Sequence, residues 1–210
     1  MFTGLIEDVG IIKSISDSKI EIKTNLDNIK KGDSISVNGV CLTAIFVNKN
    51  SFIAEYSSNT SNITNFSRLK KKSKINLERS LKCCSRFGGH VVSGHVDGIA
   101  KIKFIEKVKQ FYKIIFSCEK NITDLCVNKG SIAVDGVSLT ISSVSILHFE
   151  TFIIPETFNN TIMQFKKNGD EVNIEVDIFA KYIRKFINEN NTNKKDRDIT
   201  IEMLNKTGFA

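Results

Sequence analysis

Two small antiparallel β-barrels, related by an internal duplication and followed by a C-terminal α-helix, are predicted from three observations. A seven-residue stretch occurs twice, other landmarks recur around it in the same order, and the residues between them fall into short alternating runs. The first copy of the stretch is Val37-Asn38-Gly39-Val40-Cys41-Leu42-Thr43 and the second is Val134-Asp135-Gly136-Val137-Ser138-Leu139-Thr140. Each follows a Lys-Gly turn, Lys31-Gly32 or Lys129-Gly130. Asn-Gly and Asp-Gly tolerate the positive φ that tight hairpins require, so each stretch marks a hairpin. After the turn, strand geometry puts Cys41 and Thr43 on one face with Leu42 on the other, and likewise Ser138 and Thr140 against Leu139. The exchange of Cys41 for Ser138 is a candidate functional asymmetry.

The other landmarks establish the duplication. Thr3-Gly4-Leu5-Ile6-Glu7 matches Ser93-Gly94-His95-Val96-Asp97, Asn59-Thr60 matches Glu156-Thr157, and Lys74-Ile75-Asn76-Leu77-Glu78 matches Glu171-Val172-Asn173-Ile174-Glu175. The offset is 90 residues at the first and 97 at the later ones, which predicts one longer loop in the second copy. Within the first copy, β-like runs start near Ile11, Lys19, Ser34 and Ser51 at turn-length spacing, and several alternate with period two. Five or six strands in one copy suit a small barrel that closes its own edges. Helical turns are expected at 28–31, 62–69 and 122–127. The organisation predicted is a first barrel over 1–86, a linker at 87–91, a second barrel over 92–177, and a helix with a polar tail over 178–210. Asp177 suits the N-cap of that helix. Ile178, Phe179, Tyr182, Ile183, Phe186 and Ile187 form an apolar stripe at helical spacing that runs to about Asn190. Such a stripe on an appended helix predicts self-association ahead of packing on its own barrel. The tail from Asn191, with a weak apolar patch at 199–204, reads as mobile or partly helical.

Composition narrows the function classes. The 210 residues carry 41% hydrophobic and 25% charged residues, ordinary for a globular chain. No apolar run is long enough for a membrane span and no signal peptide opens the chain. The five cysteines, Cys41, Cys83, Cys84, Cys118 and Cys126, then read as reduced thiols in a cytoplasmic protein. No zinc spacing occurs, so no metal is expected. The net charge of +7 raises a nucleic-acid reading. The lysines are dispersed without interleaved aromatics, which favours a solvated basic surface. Between the copies, His90 reads as a linker or interface residue ahead of a chemical one. His95 replaces Leu5 of the first copy, and a polar residue at an apolar position is the better functional candidate.

Six motifs in order then carry a resemblance. Met1-Phe2-Thr3-Gly4, Asn38-Gly39-x-Cys41-Leu42-Thr43, Gly88-Gly89-His90-x-x-Ser93-Gly94-His95, Asp135-Gly136-x-Ser138-Leu139-Thr140, Ile154-Pro155-Glu156-Thr157 and Asn173-Ile174-Glu175-x-Asp177 resemble the riboflavin synthase family of the alpha-chain type. The resemblance covers residues 1 to about 190. It implies two six-stranded Greek-key barrels and a helix that joins three subunits. It implies a transferase of riboflavin biosynthesis in which two molecules of 6,7-dimethyl-8-ribityllumazine react. One yields a four-carbon unit and leaves as 5-amino-6-ribitylaminouracil; the other becomes riboflavin. No cofactor is implied, and lumazine synthase is an implied partner. The family's contacts would fall, in the first barrel, on Gly4, Leu5, Ile6, Cys41, Leu42, Thr43, Glu55, Tyr56, Ser57, Ser58, Asn59 and Thr60. In the second they would fall on His95, Lys129, Ser138, Leu139, Thr140, Ile153, Ile154, Pro155, Glu156, Thr157 and Phe158. Cys41 is a candidate nucleophile or proton acceptor, or a small buried residue. Ser138 and His95 are candidates for handling protons or polarising the ring. Asp177 would orient a partner group or cap the helix, and Phe2 would shield the ring or anchor the core. One departure stands out: Asn59 occupies the position where the family carries glutamate.

A lumazine-binding protein of the same architecture without turnover is the main rival. Intact Phe2-Thr3-Gly4 and Cys41 favour the enzyme.

Overall fold

The computed structural model describes residues 1–195, and side chains as far as 189. Twelve strands form two closed antiparallel barrels among the described residues. The first comprises β1 (Asp8–Ile15), β2 (Lys19–Lys23), β3 (Ser34–Val37), β4 (Val40–Asn48), β5 (Ser51–Glu55) and β6 (Lys74–Arg79) in the order β1-β2-β5-β4-β3-β6. The second comprises β7 (Gly98–Val108), β8 (Phe111–Ser117), β9 (Ser131–Val134), β10 (Val137–Ser145), β11 (His148–Ile153) and β12 (Glu171–Val176). Its order is the same under the duplication, β7-β8-β11-β10-β9-β12. Both hairpin turns adopt the expected conformation: Asn38 and Gly39 have φ of 47° and 82°, and Asp135 and Gly136 have 44° and 80°.

Alternation sends one face of each strand inward. Ile12, Ile20, Ile22, Ile35, Leu42, Phe52, Ile75 and Leu77 fill the first barrel, and Ile102, Ile114, Phe116, Ile132, Leu139, Phe149, Val172 and Ile174 the second. The extra length of the second copy is divided rather than placed in one loop. Strand pairing equates Asp8 with Gly98, Ile20 with Ile114 and Ile35 with Ile132, so the offset steps from 90 to 94 to 97. Four residues lengthen the β7–β8 hairpin, and three precede β9 near α2 (Lys120–Thr123).

Three helical expectations shift. Residues 28–31 form no helix: Asn28 takes φ of +55°, and the Asp33 carboxylate accepts from Lys30 N–H at 2.8 Å, a side-chain turn that competes with helix. The turn expected at 122–127 starts two residues earlier, where Thr123 Oγ1 donates to the carbonyls of Lys120 and Ile146. The turn expected at 62–69 divides into α1 (Ser58–Ile63), capped by Ser57, and a 3₁₀ turn (Asn65–Arg68) capped by Thr64. Its counterpart is α3 (Pro155–Asn159), begun by a proline at its first turn, with a 3₁₀ turn at Ile162–Phe165. The last helix, α4 (Ile178–Lys195), runs beyond Asn190, since no Gly or Pro interrupts it. It opens a separate unit from Phe179 on, and the expected patch at 199–204 lies outside the described residues.

The two barrels meet through a reciprocal polar contact. Asn76 Nδ2 donates to the Asp135 carbonyl at 2.9 Å, and Asn173 Nδ2 to the Asn38 carbonyl at 2.8 Å. The Oδ1 atoms of Asn76 and Asn173 accept from the backbone N–H of Ile162 and Asn65. Asn38, Asn76, Asp135 and Asn173 are all buried. Asp135, fully enclosed, pairs with Lys166 Nζ at 3.0 Å. At the centre Gly39 and Gly136 face each other, and a Cβ added to either would lie 2.8 Å from the other's backbone nitrogen.

Replacing Gly136 with alanine should therefore cost more than replacing Gly169, which has φ of +92° but open space around it. Gly169→Ala is expected to cost about 1–2 kcal/mol through its backbone conformation alone. Gly136→Ala should cost about 1–3 kcal/mol more through overpacking. Urea unfolding of both variants checks this, and equal costs would show that the barrels do not meet tightly at these turns.

Candidate functional site

The segment before each barrel crosses to the other barrel. Phe2 and Val92 form one two-bond bridge, Phe2 N–H to Val92 O at 2.8 Å and Val92 N–H to Phe2 O at 3.1 Å. Beyond it, Ser138 N–H donates to Gly4 O at 2.8 Å, and Cys41 N–H donates to Gly94 O at 2.9 Å. Ile6 packs on the core of the second barrel and Val96 on that of the first. The expectation grouped Gly4, Leu5 and Ile6 with Cys41, and His95 with Ser138. The structure pairs them the other way: 4–6 lie beside Ser138, and 94–96 beside Cys41. The sequence could not reveal this, because either arrangement satisfies the same repeat.

Buried carboxylates fix these arms. Glu78 accepts from Thr3 N–H, Thr3 Oγ1 and Gly4 N–H at 2.7, 2.9 and 3.0 Å. Glu175 does the same for Ser93 N–H, Ser93 Oγ and Gly94 N–H at 2.7, 2.6 and 2.9 Å. Burial raises the Glu78 pKa, while the donors from Thr3 and Gly4 oppose the shift. Gly4 and Gly94 have positive φ, and a Cβ on them would lie within 2.6 Å of Ser138 and 2.5 Å of Cys41 respectively. The arms can approach the two strands only as glycines.

Cys41 is half-buried on β4 beside the cluster of Phe2, Val92 and Ala133. Phe2 is fully enclosed there, so its packing is that of an anchor between the arms. Leu42 and Leu139 point into the cores, while Thr43 and Thr140 are exposed on the same face as Cys41 and Ser138. His95 and Leu5 are exposed at the equivalent arm positions. The segments after β5 and β11 are also accessible. Glu55, Ser57, Ser58 and Asn59 are exposed with Tyr56 and Thr60 partly so, and Ile154, Pro155 and Glu156 are exposed with Thr157 and Phe158 partly so. Ile153 is buried, and Phe158 stacks on Tyr112 with ring centroids 3.6 Å apart. Glu55 is paired with Lys19 at 3.2 Å, and Lys129 is exposed with φ of +67°. Among the described residues no group of acidic, histidine and cysteine side chains is placed to hold a metal.

His90 is the residue that sequence reading undervalued. It is buried, and its Nδ1 lies 2.7 Å from Ser138 Oγ. Its Nε2 is buried without a hydrogen-bond partner. Burial lowers its pKa from the usual 6.5, against the opposing charges of Asp177 and Glu175. A neutral imidazole hydrogen-bonded to a serine hydroxyl can hold or accept its proton. Its backbone is fixed by His90 N–H to Thr3 O at 3.2 Å, and Gly89 permits that approach, since a Cβ there would overlap the Thr3 carbonyl. Among the described residues His90 is hydrogen-bonded to Ser138, and no histidine is hydrogen-bonded to Cys41.

Known proteins share this architecture. The Lumazine binding domain family matches residues 3–80 and again 93–177. The riboflavin synthase of Bacillus subtilis (strain 168) is 40% identical over the full length of both chains. That of Photobacterium phosphoreum is 38% identical over 100% of this chain and 99% of its own. The structure of LumP complexed with 6,7-dimethyl-8-(1'-D-ribityl) lumazine has a TM-score of 0.76 at 25% identity, covering 84% of this chain and 99% of that one. LumP complexed with riboflavin gives 0.78 at the same identity and coverage.

The His90 environment makes a pH prediction. Above 6.5 both the folded and unfolded chains hold this histidine neutral, and it contributes nothing. As the pH falls through 6.5, the unfolded chain takes up a proton that the buried ring resists, so stability is lost. His90→Gln should flatten the fall in melting temperature between about pH 6.5 and 5.5. A variant that follows the parent curve would show that His90 is not held neutral by the fold.

Proposed function

The chain belongs to the riboflavin synthase family, and from that premise we propose how its two halves divide the work. It is a transferase that forms riboflavin from 6,7-dimethyl-8-ribityllumazine by transfer of a four-carbon unit. In our reading each barrel holds one lumazine, and the arm of the opposite half completes each site. The first site draws on Cys41, Leu42, Thr43 and Glu55–Thr60 with His95 from the second arm. The second draws on Lys129, Ser138, Leu139, Thr140 and 153–158 with Gly4, Leu5 and Ile6 from the first. The observation that carries this is the reciprocal backbone pairing of Gly4 with Ser138 and Gly94 with Cys41.

The division of roles follows from the asymmetry. Ser138, with neutral His90 at 2.7 Å, is the group suited to moving a proton at the ring of one lumazine. Cys41 lacks such a partner and serves the other ring through packing and its thiol. Asp177, whose charge favours a proton on His90 against the effect of burial, stabilises the imidazolium that forms when the pair takes up a proton. Orientation of two lumazines contributes up to about 10 kcal/mol to such a reaction. A working site between subunits brings the two lumazines face to face. A homotrimer joined through α4, whose stripe Phe179, Tyr182, Ile183, Phe186 and Ile187 is more than half exposed, supplies that arrangement. Association with lumazine synthase and a cytoplasmic location complete the proposal. The charge of the family glutamate is not required at Asn59, since an exposed amide carbonyl can still accept from the ligand.

Binding without turnover is the second reading, raised by the likeness to LumP, which is found complexed with the lumazine and with riboflavin. The full-length identity to riboflavin synthases weighs against it. Purified protein mixed with the lumazine and no cofactor decides between them. Riboflavin should appear at about half the lumazine consumed, the stoichiometry of a two-substrate dismutation. Binding without product would sink the enzymatic reading. Asp177→Ala should lower kcat more than Cys41→Ser does, and the reverse order would remove Asp177 from the assigned role.

A further inference from the structure

A groove of about 720 Å³ lies where the two 3₁₀ turns face each other, and it shares no lining residue with the proposed lumazine segments. Its volume falls within the range of small-molecule sites. Its charge is unbalanced. Arg68 pairs with Glu171 at 3.1 Å, and Lys166 with Asp135 at 3.0 Å. Lys70, Lys74 and Lys101 line the same groove and have no carboxylate partner among the described residues. The one remaining carboxylate, that of Asp170, accepts the Lys167 N–H at 2.9 Å. Lys74 is held over the Phe165 ring at 3.4 Å, which fixes where its charge sits.

This excess is not a by-product of the repeat. Strand register places Lys74 where the second copy has Glu171, and Lys101 where the first has Ile11. A second observation is independent of charge. Asn65 also lines the groove and is only 3% exposed, yet its Oδ1 has no donor. Its Nδ2 already donates to Asp135 Oδ1 at 3.2 Å and to Glu171 O at 3.4 Å, so the amide orientation is set. A buried acceptor without a donor is costly and calls for one.

We propose that this groove binds a small organic phosphate, its anionic group held by Lys70, Lys74 and Lys101 and a hydroxyl or amine donating to Asn65 Oδ1. Cationic side chains around an oxyanion form the stronger, charge-assisted class of hydrogen bond. The site is separate from the lumazine segments, so it stands or falls independently of the proposed reaction.

Isothermal titration with ribose 5-phosphate and with inorganic phosphate, at one fixed ionic strength, tests it. Ribose 5-phosphate should bind more tightly than inorganic phosphate. The Lys74→Gln/Lys101→Gln double variant should lose about tenfold or more in affinity. That variant should keep its melting temperature and riboflavin formation, since neither lysine belongs to the proposed lumazine sites. Absence of ribose 5-phosphate binding, equal affinity for inorganic phosphate, or undiminished binding by the double variant would each overturn the proposal. Binding of poly-glutamate in place of ribose 5-phosphate would overturn it in favour of an acidic protein partner.

Discussion

The reciprocal amide contact between the two hairpin turns governs the rest of the structure. A closed barrel satisfies its own backbone, so two barrels have few directional reasons to adopt one mutual orientation. Here Asn76 and Asn173 each reach across to the turn carbonyl of the other half, and each Oδ1 receives a backbone N–H. All of this is buried, so an altered orientation would leave several polar groups unpaired at once. Gly39 against Gly136 makes the approach close enough. The duplicated sequence supplies both sides of this contact, with one difference. Asp135 replaces Asn38 and brings a buried charge, which Lys166 balances at 3.0 Å.

With that orientation set, the arms have only one place to go. The segments at 2–6 and 92–96 run past each other through the Phe2–Val92 bridge. Each then ends against the strand that carries the other half's Cys41 or Ser138. Glu78 and Glu175 hold them there with three donors each. The symmetry breaks at His90, which precedes the second arm and reaches Ser138, while no histidine among the described residues is hydrogen-bonded to Cys41. Like barrels that bind like molecules must still treat them differently if one is to give up carbon and the other to accept it.

Much of this was legible in the residues. The Asn-Gly and Asp-Gly hairpins, the alternation of Leu42 between Cys41 and Thr43, and the order of landmarks identify two β-barrels and a helix. They do so because turn φ and strand period are local properties. Legibility ended where contacts are long-range. Exchange of the arms leaves the local sequence pattern unchanged, so the residues alone group Gly4 with Cys41 and His95 with Ser138, whereas Gly4 pairs with Ser138 and the second arm with Cys41. His90 reads as linker because nothing local distinguishes a buried histidine from an exposed one after two glycines. The short turns shift for a different reason: Ser57 caps α1, and side-chain hydrogen bonds of Asp33 and Thr123 to nearby backbone compete closely with helix.

The central claim, that each lumazine site is built from both halves of the chain, is tested most directly by a crystal structure with 6,7-dimethyl-8-ribityllumazine bound. The ring in the first barrel should contact Thr43 together with His95, and that in the second Thr140 together with Leu5. A ring in the first barrel flanked instead by Leu5 and Ile6, or bound by residues of one half alone, would contradict it.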